Sequence, residues 1–429
     1  MLGQLGHILV GFADSIMVGE LGAAPLAAVS LANSLAFIAF SIGIGFTFSI
    51  TPLIAEADAE KNIENGKSYF QHGIVMSVLL GIVLCGLLLL MKPLMFRMDQ
   101  PEDVVAYALP YFDIVTYSMI PMLIFQAYKQ FADGMSYTKY AMRAAIYANL
   151  LNVVLNYLLI YGKFGFPRLE LIGAGLGTLI SRIGMLAIIM YMVHTKKVFA
   201  VFVSKIRFSE IKKKVFQKVF NLGYPSALQM FFEIGIFASG IILAGMISTN
   251  AQAANQISLN LATMTYMIAI GLGVTATIRV GNQKGLKNYK ELRRIVMSVF
   301  FLMMIIDVFF AVGFIALKDV LPLAYIEDAA VLEIASTLLI VAGLFQISDG
   351  VQVVFLGALR GLQDVKVPMV ITFISFWIIG FPLCYYLGLK TELGALGIWI
   401  GLLVGLTASA IMLYLRFDKL TKKLIEENK

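Results

Sequence analysis

Three carboxylates stand inside long apolar stretches: Asp14 in "GFADSIMVG", Glu233 in "ALQMFFEIGIF" and Asp349 in "LFQISDGVQVV". In a hydrocarbon setting a carboxylate costs about 2.5–3.5 kcal/mol even on lenient scales, so each needs a partner, a proton or a water-filled cavity. Company is available for Asp14 in "NLLNVVLNYLLIYG", where Asn152 and Asn156 are four residues apart and share a helix face. Two amides and a carboxylate offer oxygen ligands to a hard cation, or hydrogen bonds to a protonated acid. Gln229 precedes Glu233 by one turn, Asp349 sits between Gln346 and Gln352, and Asn255, Gln256 and Asn260 follow Glu233 in the next apolar stretch. Burial favours the neutral acid and a bound cation favours the carboxylate, so Glu233 or Asp349 can trade a proton for a cation. Asp113, Asp307 and His7 read as structural, and Arg182 as a side chain that snorkels or pairs with helix ends. The many methionines and aromatics, such as Tyr137 and Trp377, read as packing.

The elements that must carry these groups are membrane helices. The 429 residues are 60% hydrophobic and only 14% charged, with a mean hydropathy of +0.87, against about 25% charged in soluble domains. Apolar windows fall at 1–18, 25–54, 69–91, 104–128, 141–162, 172–194, 219–247, 252–278, 295–317, 331–358, 368–388 and 394–415. Lipid demands that backbone groups pair internally, and the alternation of a barrel strand is absent, so twelve transmembrane helices are expected. The net charge of +7 does not signal nucleic acid, because the basic residues fall in short loops between windows. Of the 33 Lys and Arg, one side holds only Lys92, Arg97, Lys163, Arg168, Lys318 and Lys390, and Arg182 lies within a window. That bias places both termini in the cytoplasm of a multi-pass protein in the cell's inner membrane. Cys85 and Cys384 lie in apolar runs and read as packing. The chain starts directly in apolar sequence with no basic leader, so a further segment upstream of Met1 is expected.

The halves repeat each other. "DGMSYTKYAM" (Asp133 to Met142) aligns with "RGLQDVKVPM" (Arg360 to Met369), and at nearly the same offset Ala27 and Ala28 match Ala253 and Ala254, Gly162 matches Gly388, and Gly173 and Gly177 match Gly397 and Gly401. Six helices per half is an even number, so the halves form a parallel repeat about a pseudo-two-fold axis along the membrane normal. The expected divisions are an amino-terminal lobe over 1–195, a basic linker over 196–218 lying partly at the lipid surface, a carboxy-terminal lobe over 219–416 and a tail over 417–429. A nucleotide-binding loop is missing: "NGKS" (Asn65 to Ser68) has Lys61 where the leading glycine belongs. Neither HExxH nor GxSxG occurs, so an ion gradient is the expected energy source and an enzyme is not expected.

"GFADSIMVGELGAAPLAAVSLANS", "NVVLNYLLIYG", "GAGLGTLISR", "MFFEIGIFASGIILAG", "AANQISLNLATMTYMIAIGLGVTATIRVGNQKG" and "QISDGVQVVFLGALRG" together resemble the multidrug and toxic compound extrusion (MATE) transporters of the NorM type. The resemblance implies an all-α polytopic protein of two six-helix lobes in a V, and an antiporter coupled to Na+ or H+ that exports amphipathic, cationic compounds by alternating access. It implies no cofactor beyond the coupling ion, and a monomer in the lipid bilayer. By position, Asp14, Asn152, Asn156 and Thr178 match the amino-terminal coupling site, and Glu233 and Asp349 match the acidic pair of the other lobe, with Gln229, Asn255, Gln256, Asn260 and Gln346 as supporting polar groups. Na+ is a candidate ligand at Asp14 or at Glu233 and Asp349. Some relatives carry aspartate in place of Asn156, and others a tyrosine in place of Phe345, so this chain offers fewer oxygen ligands at both sites. The alternative implied is a flippase of the same superfamily for a lipid-linked precursor.

Overall fold

The computed structural model describes residues 11, 14–98, 101–203 and 211–428. Among these, all regular structure is helical, and eleven helices are long and apolar enough to cross a membrane. They are α1 (Ala23–Ala59), α2 (Ile63–Arg97), α3 (Glu102–Gly134), α4 (Thr138–Tyr161), α5 (Glu170–Thr195), α6 (Lys213–Ile247), α7 (Thr249–Gly285), α8 (Tyr289–Ala316), α9 (Ala329–Gly361), α10 (Lys366–Leu389) and α11 (Ala395–Glu427). Each coincides with one of the last eleven apolar windows. The first window lies mostly outside the described residues, as does His7, although residues 14–19 are helical. Residues 204–210 of the basic segment also lie outside them.

Local chemistry sets where these helices start and break. Polar side chains close the open N–H groups at helix starts: Asn62 accepts from Asn65 N at 3.1 Å, Ser248 from Ala251 N at 3.0 Å and Asn288 from Glu291 N at 3.2 Å. Prolines explain the internal breaks, since each removes the N–H that would bond four residues back. Pro52 follows the break at Phe48 and Ser49 in α1, and Pro121 follows the break at Ser118 in α3. Pro382 follows the wide-turned π segment Ile374–Gly380 in α10. In the loop before α9, Ser336 and Lys318 donate to Asp319 and hold its carboxyl below its usual value; this tie is present at neutral pH and is lost as pH falls through that depressed value.

The chain divides into two compact units, Met1–Ala227 and Leu228–Lys429. Each packs helices through glycines at the places the sequence repeat marks. In the first unit, a Cβ on Gly173 would lie 2.6 Å from the Leu159 carbonyl oxygen, so α4 and α5 meet backbone to backbone. In the second, a Cβ on Gly397 would collide with the Leu387 carbonyl and one on Gly401 with the backbone N of Cys384, so α10 and α11 meet the same way. At the start of the linker, the helical turn Lys197–Ala200 buries Phe199 among Phe131, Tyr137 and Tyr140.

Candidate functional site

In the first unit, the helical segment carrying Asp14 meets α4. Asn156 Nδ2 donates to Asp14 Oδ1 at 2.6 Å, and more weakly to Asn152 Oδ1 at 3.4 Å. Asn152 Nδ2 donates to Ser181 Oγ at 3.3 Å, and Ser181 Oγ donates to the Thr178 carbonyl at 2.9 Å. The two asparagines are buried, and the i,i+4 spacing lets them act on one face as the sequence suggests. Thr178 joins through its backbone. The sequence reading did not place Arg182 here, yet its Nη1 donates to Ser118 Oγ at 2.5 Å and its guanidinium lies 4.4 Å from the Phe40 ring centroid. Asp14 and Tyr111 are its electrostatic neighbours, and Tyr111 in turn reaches Asn33 Oδ1 at 3.5 Å. Ser118 lies at the break in α3, which the sequence signals only through Pro121.

Asn156 Oδ1 is buried without a hydrogen bond and occupies the space where a Cβ on Gly177 would stand. Gly177→Ala is therefore expected to push Asn156 off Asp14 and to destabilise the protein by about 1–3 kcal/mol. Thermal unfolding in detergent reads this, and Asn156→Ser in the same chain should recover most of the loss by removing the clashing amide.

The second unit gathers more acid than base. Glu233 on α6, Asp307 on α8 and Asp349 on α9 are all buried, at 6%, 1% and 5% exposure. Tyr266 on α7 donates its hydroxyl to Glu233 Oε1 at 3.3 Å. Arg360, in the last turn of α9, donates to Gln229 Oε1 at 3.0 Å and is an electrostatic neighbour of Glu233. Asp349 feels the charges of both Glu233 and Asp307. Asp307 Oδ2 has no hydrogen bond and fills the place where a Cβ on Gly350 would stand, which makes glycine the residue that admits it. Three carboxylates against one guanidinium leave an excess that a proton or a cation must neutralise. Among the described residues they do not close into a metal cage of three or more ligands.

The supporting amides divide. Gln229 joins the acids through Arg360. Gln346 accepts from Thr265 Oγ1 at 2.5 Å and donates to the Ala262 carbonyl at 3.3 Å, fastening α9 to α7 one turn from Asp349. Asn255 instead accepts from Trp399 Nε1 at 2.9 Å, and Gln256 and Asn260 bond each other at 3.1 Å on an exposed face. Phe345 packs between Phe237 and Trp399 and brings no oxygen. Trp377 donates to the Phe232 carbonyl at 3.1 Å, and Lys92 pairs with Asp113 at 2.6 Å, both structural contacts.

Helices of membrane length, with buried charge in both units, define a polytopic membrane protein. The MatE family model matches residues 1–158 and 225–386, and the chain belongs to this family, the multidrug and toxic compound extrusion transporters. It is thus a multi-pass membrane transporter and not an enzyme. It is 31% identical to "Multidrug resistance protein NorM" of Vibrio cholerae over 99% of this chain and 94% of the relative, and 32% identical to the protein of the same name from Vibrio parahaemolyticus over 97% and 92%. Solved structures agree in fold. An outward-facing multidrug resistance MATE transporter matches with a TM-score of 0.88 at 20% identity, covering 99% of this chain and 94% of the other. The eukaryotic MATE transporter AtDTX14 matches with 0.87 at 20% identity, covering 98% and 95%.

Proposed function

We propose that the protein is a cation-coupled antiporter, acting as a monomer in the cell's inner membrane with both termini cytoplasmic, that exports amphipathic cationic compounds in exchange for Na+ or H+. The observation that carries this reading is the excess of buried acid in the second unit, Glu233, Asp307 and Asp349 against Arg360. A cationic drug and a coupling cation both neutralise such a site, and competition between them for Glu233 and Asp349 links export of one to entry of the other. Asp14, Asn152, Asn156 and Thr178 form the corresponding polar site of the first unit. The relatives named as multidrug resistance proteins support the cargo class. The drive is sufficient: one charge crossing ~100 mV yields about 2.3 kcal/mol, enough to move a two-state carrier from mostly one form to mostly the other. A flippase for lipid-linked precursors would be expected to surround phosphates with bases, whereas here acids prevail.

Dye efflux from vesicles containing the purified protein, under a Na+ gradient and a proton gradient imposed separately, tests this. The expected result is efflux of a cationic dye driven by one of the two. No efflux under either, from protein shown to be folded, would move the cargo to lipid-linked compounds.

A further inference from the structure

The two units differ in how their buried charge is balanced. In the second, three carboxylates face one guanidinium. In the first, among the described residues, Asp14 has Arg182 as a cationic neighbour of opposite charge. Arg182 is held in place rather than free to leave: Ser118 and Phe40, which receive its guanidinium, are themselves 0% and 8% exposed. No direct ion pair joins Arg182 to Asp14 among the described residues, so the guanidinium acts on the carboxylate through space while bonded elsewhere. Tyr111, from α3, is the other titratable group facing the pair. A second observation is independent of the charge count. Asn156 presents its NH2, a donor, to Asp14, while its oxygen is turned into the space left by Gly177. An amide donor aimed at a carboxylate stabilises the bare anion. A Na+ ion beside Asp14 would need oxygens there.

We propose that Arg182 is a tethered internal cation of the first unit, standing in for a coupling Na+ at Asp14. The inference rests on the cation-coupled reading above. A unit cation fixed in the same apolar interior repels an incoming Na+, lowering its affinity for Asp14 by ~10-fold or more. The Asn156 donor disfavours it further.

The test is binding of radioactive Na+ at pH 8 to the purified full-length chain carrying Glu233→Gln and Asp349→Asn, which silences the second unit. The expected result is no saturable Na+ binding. Adding Arg182→Met should create saturable binding, and Asp14→Asn in that chain should abolish it, while Arg182→Lys should create none. Saturable binding in the starting chain that disappears with Asp14→Asn would overturn the proposal, as would folded Arg182→Met protein that gains no site. If Arg182→Met does not fold, the comparison with and without Asp14→Asn decides alone. Dye efflux by the unmutated protein from the same preparation tests the exporter reading separately: efflux with Asp14-dependent Na+ binding rejects only the Arg182 proposal, and no efflux with the expected Na+ pattern rejects only the exporter reading.

Discussion

Asp349→Asn is expected to bring gradient-driven export down to the level of protein-free vesicles, a loss of at least ~100-fold, while leaving a folded protein. The substitution keeps shape and hydrogen-bonding capacity but removes the charge that a proton, a coupling ion and a cationic drug would share. Stability should not suffer, because Asp349 is buried beside two other acids and an amide needs no counter-charge. The expected unfolding temperature is therefore equal to or above that of the unmutated protein. Asp307→Asn is the informative control. Its carboxylate is sealed against Gly350 and has no hydrogen bond at Oδ2, so the neutral variant should retain a measurable share of transport. Equal loss in both variants would mean that the three acids act as one unit.

Gly357→Leu is expected to prevent the second unit from folding. A Cβ at Gly357 would collide with the Gly273 carbonyl oxygen, and one at Gly361 would lie 2.7 Å from the Thr277 carbonyl oxygen. Across the same crossing of α7 and α9, Thr277 Oγ1 donates to the Gly357 carbonyl at 2.8 Å, sharing its one proton with the Gly273 carbonyl of its own helix at 3.0 Å. Backbone facing backbone offers no flexible side chain to swing aside, so the helices must separate. Overpacking costs about 1–3 kcal/mol for a tolerated insertion, and the lost hydrogen bond adds about 1 kcal/mol. A leucine exceeds the tolerated case, and the sum approaches a marginal total stability of about 5–15 kcal/mol. Because α7 and α9 also carry Tyr266, Gln346 and Asp349, their separation dismantles the acidic site. Recovery of monodisperse protein after detergent extraction measures the effect. Gly357→Ala should lower the unfolding temperature without loss of that species.

Most of the fold is legible from length and hydropathy alone, because lipid leaves the backbone of an apolar run no option but a helix. The paired glycines of the repeat were legible too, and they mark backbone contacts in both units. Asn152 and Asn156 meet Asp14's neighbourhood because the helical period is a local property. The same period separates Asn255 from Gln256 and Asn260, which adjacency in sequence groups together. Least legible were the contacts made by side chains far apart in the chain. Arg182 reads as a snorkelling residue, yet its anchor is the Ser118 hydroxyl, sixty-four residues away in the chain. Arg360 reads as a loop residue, yet α9 continues far enough to bring it to Gln229 across 131 residues. Asp307 reads as structural, and only the packing of α8 on Gly350 puts it next to Asp349.

Antiport itself is tested most directly by following the coupling ion. Vesicles containing the protein are loaded with a cationic dye and held without any imposed gradient, and H+ and Na+ movements are recorded as dye flows down its own gradient. One of these ions is expected to move in the direction opposite to the dye, and Asp349→Asn to abolish both flows together. Dye flow with no ion movement, or with an ion moving in the same direction as the dye, would contradict it.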